Sequence, residues 1–223
     1  MESAPLTAVE ARVLGSLIEK QITTPDYYPL SLNALTNACN QLTNRDPVMS
    51  LDEAGVARAI EGLRGHHFAT VFHGAESRVA RYKHTFTDAI LLTPAEVALL
   101  CVLMLRGPQT VGELRTRSER LFTFDNLAEV EATLASLAAH QPTPLVVKLP
   151  RQPGTKESRY THLLAGPAEV SLSSAPPSPS GPVPPASHSD ADRIVKLEEE
   201  AAALRRELAD LQQQFADFRK QFE

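Results

Sequence analysis

The feature that most constrains the fold of this 223-residue chain is an internal repeat of helical patterns. A Thr-x-x-Glu start followed by leucines begins at Thr7 and recurs at Thr93. A second apolar pattern recurs as well, at Val56, Ile60 and Leu63 and then at Val130, Leu134 and Leu137. Apolar residues three and four positions apart share one face of an α-helix. The sequence therefore predicts two copies of one small helical unit.

Five helix starts are predicted from a capping side chain that is followed three residues later by Glu. The cap oxygen accepts from a free backbone N–H of the first turn, and the Glu reaches back toward the cap. The five pairs are Thr7 with Glu10, Ser50 with Glu53, Thr93 with Glu96, Thr110 with Glu113, and Asn126 with Glu129.

A pair of strand-like segments follows the third helix of each unit. They cover residues 69–72 and 78–84 in the first unit and residues 145–149 and 158–163 in the second, and both second strands contain an Arg-Tyr-x-His run. Three helices followed by a β-hairpin is the winged-helix plan. We therefore predict a mainly α fold with small β-hairpins (α+β), in two tandem winged-helix domains at residues 1–88 and 89–165.

The composition changes after the second unit. Residues 166–189 hold seven Pro, seven Ser and no Lys or Arg, which predicts a disordered linker. Residues 190–223 predict a coiled-coil helix, because apolar residues alternate three and four apart. This dimer seam consists of Ile194, Leu197, Ala201, Leu204, Leu208, Leu211, Phe215, Phe218 and Phe222. We expect a parallel homodimer; the alternative is a single amphipathic helix packed on the body.

Several longer motifs resemble the YceH-like family of uncharacterised bacterial proteins. In the first unit they are residues 10–21, 23–26, 28–35, 38–41 and 44–48, and in the second unit residues 95–100, 105–110, 112–117 and 157–160. The resemblance covers about residues 6–165 and implies a tandem winged-helix fold. It implies no activity and no site residues.

Composition and motifs argue against catalysis, metal binding and a cofactor. The sequence has no G-x-S-x-G or H-E-x-x-H signature and no glycine-rich phosphate loop. Cys39 and Cys101 stand alone in helix-like stretches, which is typical of reduced core residues. No apolar run is long enough for a membrane span, and the N-terminus lacks a signal-peptide pattern. We expect a cytoplasmic protein; an enzyme is the third and weakest alternative.

The distribution of charge favours the two β-hairpins, which are the wings of the winged-helix plan, over the third helices as a contact surface. The third helix of the second unit carries Asp125, Glu129 and Glu131 and no basic residue before His140, so phosphates would repel it. We therefore expect a regulatory DNA-associated protein that contacts the phosphate backbone of DNA through basic wings. The alternative is a protein–protein adaptor with an acidic partner. The candidate contacts lie in the wings and in the middle helix of the second unit; they are Arg78, Arg81, Lys83, Arg115, Arg117, Arg120, Arg151, Lys156 and Arg159.

Overall fold

The computed structural model describes residues 5–72, 79–151 and 157–166. These residues form a mainly helical α+β fold, which confirms the predicted fold class at that level. The helices are α1 (Ala8–Thr23), α2 (Leu32–Cys39), α3 (Glu53–Gly65), α4 (Phe86–Ala89), α5 (Pro94–Arg106), α6 (Val111–Ser118) and α7 (Leu127–Ala138), with a 3₁₀ helix at Pro25–Tyr27. The strands are β1 (Leu30–Ser31), β2 (Ala69–Phe72), β3 (Arg81–His84), β4 (Val146–Lys148) and β5 (Tyr160–His162).

Three of the five predicted helix starts carry the complete reciprocal cap. Thr7, Thr93 and Thr110 each accept from the backbone N–H three residues on, and the Glu at that position accepts from the cap backbone. At the start of α7, Asn126 is the cap as predicted. The Glu129 side chain there accepts from the N–H of Asp125 instead of the cap residue.

The predicted start of α3 at Ser50 is wrong, because Asp52 is the cap. Its carboxylate accepts from the N–H of Gly55 at 2.8 Å. The reason lies in a contact distant in sequence. The Asn40 side chain bonds both the N–H and the carbonyl of Leu51, each at 2.8 Å, so this residue is held outside the helix.

Each half places its hairpin after its third helix. In the first half, β3 lies between β1 and β2 in an antiparallel sheet, with Ser31 and Phe72 both opposite Arg81. In the second half, β4 and β5 form an antiparallel pair that sets Lys148 opposite Tyr160. The short strand β1 and the helix α4 had no sequence prediction, since two to four residues are too few to show a period.

The two halves share one continuous apolar core. Helix α5 is buried along Glu96–Leu105 and packs against α1, which in turn packs against α2 and α3. The approach is close at Gly15, whose carbonyl accepts from the Cys101 thiol at 3.4 Å. A Cβ at Gly15 would lie 3.0 Å from Leu105.

All described residues fall within one compact unit. Helix α4 spans the predicted boundary between residues 88 and 89. Since two domains can pack through a shared core, the division at residue 88 stays a prediction.

Several predictions fall outside the described residues. These are most of the linker, the coiled-coil segment 190–223 and its seam, and the wing residues Arg78 and Lys156.

Within the described ranges, no helix has the length and apolar character needed to cross a membrane. Cys39 and Cys101 are both free and buried, as predicted.

Candidate nucleic-acid interface

The outer face of the first sheet carries two of the predicted contact residues. Arg81 and Lys83 lie two positions apart on β3, so their side chains share a face. Their cross-strand partners on β2 are Phe72 and Thr70, and Phe72 is 44% exposed. Arg81 donates to the carbonyl of Pro29 at 2.9 Å. Among the described residues neither cation forms an ion pair, and β1, β2 and β3 contain no acidic residue.

The opposite face of β3 fixes this strand against α1. His84 is buried, and its ring is hydrogen-bonded to the Gln21 side chain. The backbone N–H of His84 donates to the Tyr28 hydroxyl at 2.7 Å. Burial lowers the pKa of His84 to about 4, so the ring is neutral near pH 7. Exposed Arg81 and half-buried Lys83 are therefore presented by a strand with a packed inner face.

In the second half, Arg159 occupies the position that corresponds to Arg81. Each arginine opens an Arg-Tyr-x-His run and donates to a proline carbonyl, that of Pro108 at 2.8 Å in the case of Arg159. Arg159 also meets a carboxylate, because its Nη1 lies 2.8 Å from Oε2 of Glu113.

Glu113 binds a second predicted contact residue as well. Arg117 Nη2 lies 3.5 Å from its Oε1, one helical turn along α6. Burial by itself raises the pKa of Glu113, but the Thr110 N–H and the charges of Arg159 and Arg117 outweigh it, so the net direction is down. The carboxylate is therefore ionised at neutral pH. The charges of Arg117 and Arg159 are partly neutralised within the protein.

The corresponding position in the first half carries no carboxylate. Glu113 is the third residue of α6 after its cap Thr110, and Ala34 is the third residue of α2 after its cap Ser31. Ala34 is exposed. This difference explains why Arg159 has a carboxylate counter-ion at this position and Arg81 has none there.

The other predicted contacts are spread over the second half. Arg115 is exposed and donates to the carbonyls of Phe124 at 3.3 Å and Asp125 at 3.0 Å. Arg120 lies 4.0 Å from the Glu19 carboxylate with its own side chain 61% exposed. Arg151 is exposed at the end of the described part of the second hairpin.

The third helix of each half offers little net positive charge. On α3, Arg64 is held by Glu61 at 2.8 Å, which leaves Arg58 as the exposed cation without an ion pair in the described residues. Helix α7 contains no Lys or Arg. Its exposed side includes Glu131, Leu127 and several alanines. Insertion of α7 into a nucleic-acid groove therefore has no electrostatic support.

Two buried arginines were missed at the level of sequence. Arg12 donates to the carbonyls of Cys39 at 3.1 Å and Pro47 at 2.6 Å, and Arg45 donates to Ala38 at the end of α2. Arginine at a helix C-terminus complements the helix dipole. One sequence signal does point to this region. Polar residues at positions 12, 16 and 19 follow helical spacing through the otherwise apolar stretch 11–19 of α1, and all three are buried.

Comparison with known proteins gives consistent family matches. A family model described as "Protein of unknown function, DUF480" matches residues 6–155. A UPF0502 protein of Opitutus terrae is 57% identical over 200 residues, covering 90% of this chain and 83% of that protein. UPF0502 proteins of Citrifermentans bemidjiense and Vibrio campbellii are 53% and 50% identical, each over 88% of this chain and over 88% and 90% of their own lengths. The chain therefore belongs to this DUF480 family of bacterial proteins.

Proposed function

We propose that this chain is a non-enzymatic, regulatory DNA-associated protein with two tandem winged-helix domains. The order of elements supports the fold assignment, because α1–α2–α3 leads to the β2–β3 hairpin and α5–α6–α7 leads to the β4–β5 hairpin. The observation that carries the function is the outer face of β3. Arg81 and Lys83 lie there side by side without an acidic partner in the described residues.

Such a surface suits phosphate contacts better than base readout. Phosphate contacts fix a protein on the duplex without reading its sequence. Arg115 and Arg151 would extend the contact in the second half, together with the predicted wing residues Arg78 and Lys156. The release of counterions would make binding depend steeply on salt.

The test is fluorescence anisotropy with a short duplex of arbitrary sequence over a series of salt concentrations. Loss of two phosphate contacts in the double variant Arg81→Gln/Lys83→Gln should reduce the slope of log K against log salt by about 1.8. The matched control is Arg58→Gln/Arg64→Gln, which removes the same charge from α3. We expect the control to bind like the unmodified chain.

Two results would contradict this proposal. One is the absence of any anisotropy change at low salt with the full-length chain. The other is a larger loss in the α3 control than in the β3 variant, because that would place α3 against the DNA.

A second candidate function is a protein–protein adaptor that binds an acidic partner through its wings or docks through α7. The observation in its favour is the exposed face of α7, which combines alanines with Leu127 at 48% exposure and carries no cation. A charged residue in that face, as in Ala135→Arg, should abolish retention of a defined protein in a pull-down while leaving DNA binding unchanged.

We also propose that residues 166–189 are a flexible linker and that residues 190–223 pair two copies through the seam. The apolar spacing of the seam supports this assignment. The matches to the relatives also run beyond residues 5–166, since they cover 88–90% of this chain. Two copies would double the number of basic wings on one assembly and raise its avidity for DNA.

A further inference from the structure

A small cavity of about 30 Å³ lies between the end of α5 and the end of α6. Its apolar part is formed by Val102, Leu105 and Leu121, and its polar part by Asn44, the Glu19 carboxylate and three arginines. The arginines are Arg106, Arg117 and Arg120. Guanidinium groups are planar forks of N–H donors that match the oxygens of phosphate.

Positive charge exceeds negative charge around this cavity. Arg106, Arg117 and Arg120 line it, Arg45 and Arg159 lie beside it, and the carboxylates near these five arginines are those of Glu19, Asp46 and Glu113. Glu19 is bound by Arg45 at 2.6 Å and reached by Arg120 at 4.0 Å, while Glu113 is shared by Arg159 and Arg117. The fifth arginine is Arg106, which has no carboxylate within 4.0 Å in the described part of the chain.

Within the described ranges, the hydrogen-bond partner of the Arg106 side chain is a neutral amide. Arg106 Nη2 donates to the side-chain oxygen of Asn44, which also lines the cavity. Burial and the neighbouring charges of Arg117 and Arg45 lower the pKa of Arg106, and they outweigh the Asp46 and Glu19 carboxylates, which raise it. An anion between these groups would relieve this repulsion, since opposite charges close together favour the charged form.

We infer that this cavity is a binding site for one phosphate-sized oxyanion, held by Arg106, Arg117 and Arg120. A cavity of about 30 Å³ has room for one or two water-sized groups, so part of the oxyanion would lie inside it and the rest would project outward. The ligand is either a free phosphate compound or a phosphate of a nucleic-acid backbone. The site uses elements other than the outer face of β3, so it does not depend on the proposed DNA contact there.

The experiment is isothermal titration of the full-length chain with inorganic phosphate at constant ionic strength. Unmodified protein should show saturable binding. Arg120→Gln should weaken it at least about tenfold, because a charge-assisted contact is lost. Arg120→Lys should retain part of the affinity, and Arg58→Gln on α3 should leave it unchanged. Arg120 is 61% exposed, so its replacement leaves the core intact.

Arg106→Gln provides a second variant, and its thermal melting curve shows whether it folds. If it folds, it should lose phosphate binding as well. No saturable binding by the unmodified chain would overturn the inference. Equal affinity in the unmodified, Arg120→Gln and folded Arg106→Gln proteins would also overturn it, since binding would then lie elsewhere.

The source of the phosphate is distinguished by methyl phosphate and a short duplex as further ligands. A free phosphate compound is indicated if methyl phosphate binds and Arg120→Gln leaves duplex binding unchanged. A backbone phosphate is indicated if Arg120→Gln weakens duplex binding and inorganic phosphate competes with the duplex. Either result supports the site, and neither requires Arg81 or Lys83 to contact DNA.

Discussion

The Arg45 guanidinium meets the Glu19 carboxylate at 2.6 Å, with the arginine side chain fully buried and the glutamate 6% exposed. Arg45 also donates to the carbonyl of Ala38 near the end of α2. The pair therefore joins α1 to the segment that follows α2. A buried ion pair does not by itself guarantee stability, but its partners depend on each other once both have left water.

Replacement of Glu19 by Gln should destabilise the fold strongly. It leaves the Arg45 charge buried without its counter-ion, and breaking such pairs costs about 3–5 kcal/mol. Urea denaturation measures the change. The control is Glu61→Gln, which breaks an exposed pair with Arg64 and should cost less than about 1 kcal/mol. Similar losses in the two variants would show that the buried pair has no special role.

The pH dependence of stability should reflect buried histidines. The folded pKa of His84 is about 4 and its ordinary value is 6.5. Between these values the unfolded chain binds more protons, so stability is full above pH 6.5 and falls as the pH drops toward 4. His84 should contribute a loss of about 2 kcal/mol between pH 7 and pH 5.

The variant His84→Gln should show a smaller loss over the same pH range in urea denaturation. His162 occupies the matching place on β5, and burial lowers its pKa to about 4 as well, so part of the pH dependence should remain. Glu113, whose net pKa is lowered, acts in a more acidic range. An unchanged pH profile in His84→Gln would assign the dependence to other groups.

Sequence reasoning succeeded where the determining interactions are local. The caps at Thr7, Thr93 and Thr110 involve residues three apart, and the apolar period locates the helices that they start. It failed at Ser50, because the start of α3 is set by Asn40 across the fold. Local patterns cannot report a contact of that kind.

The same limit applies to the candidate site. Spacing identifies Arg117 and Glu113 as a possible pair one turn apart, but Arg159 reaches the same carboxylate from 46 positions away. The second wing therefore has fewer basic side chains without a carboxylate partner than its composition suggests. Arg106 and Arg120 were visible as basic residues, whereas the cavity that they line depends on how α5 and α6 pack.

The predicted coiled coil can be tested by the oligomeric state. Leu208 is in the middle of the seam, so Leu208→Asp would place an unpaired charge among apolar side chains and should dissociate the dimer. Sedimentation equilibrium measures the oligomeric state of three proteins: the intact chain, this variant and a chain that ends at Ser189. A dimer that survives the truncation would place the interface in residues 1–189, and a monomeric intact chain would rule out self-association.

The last prediction concerns Ala34, which stands where the second half has Glu113. In Ala34→Glu, the new carboxylate should complete the cap at Ser31 and pair with Arg81, as Glu113 does with Arg159. The cap should add roughly 0.5–1 kcal/mol of stability. Duplex affinity should nevertheless fall, because a basic contact is neutralised although no cation is removed. Thermal melting and anisotropy measure the two effects. A more stable variant with undiminished DNA affinity would show that Arg81 does not contact phosphate.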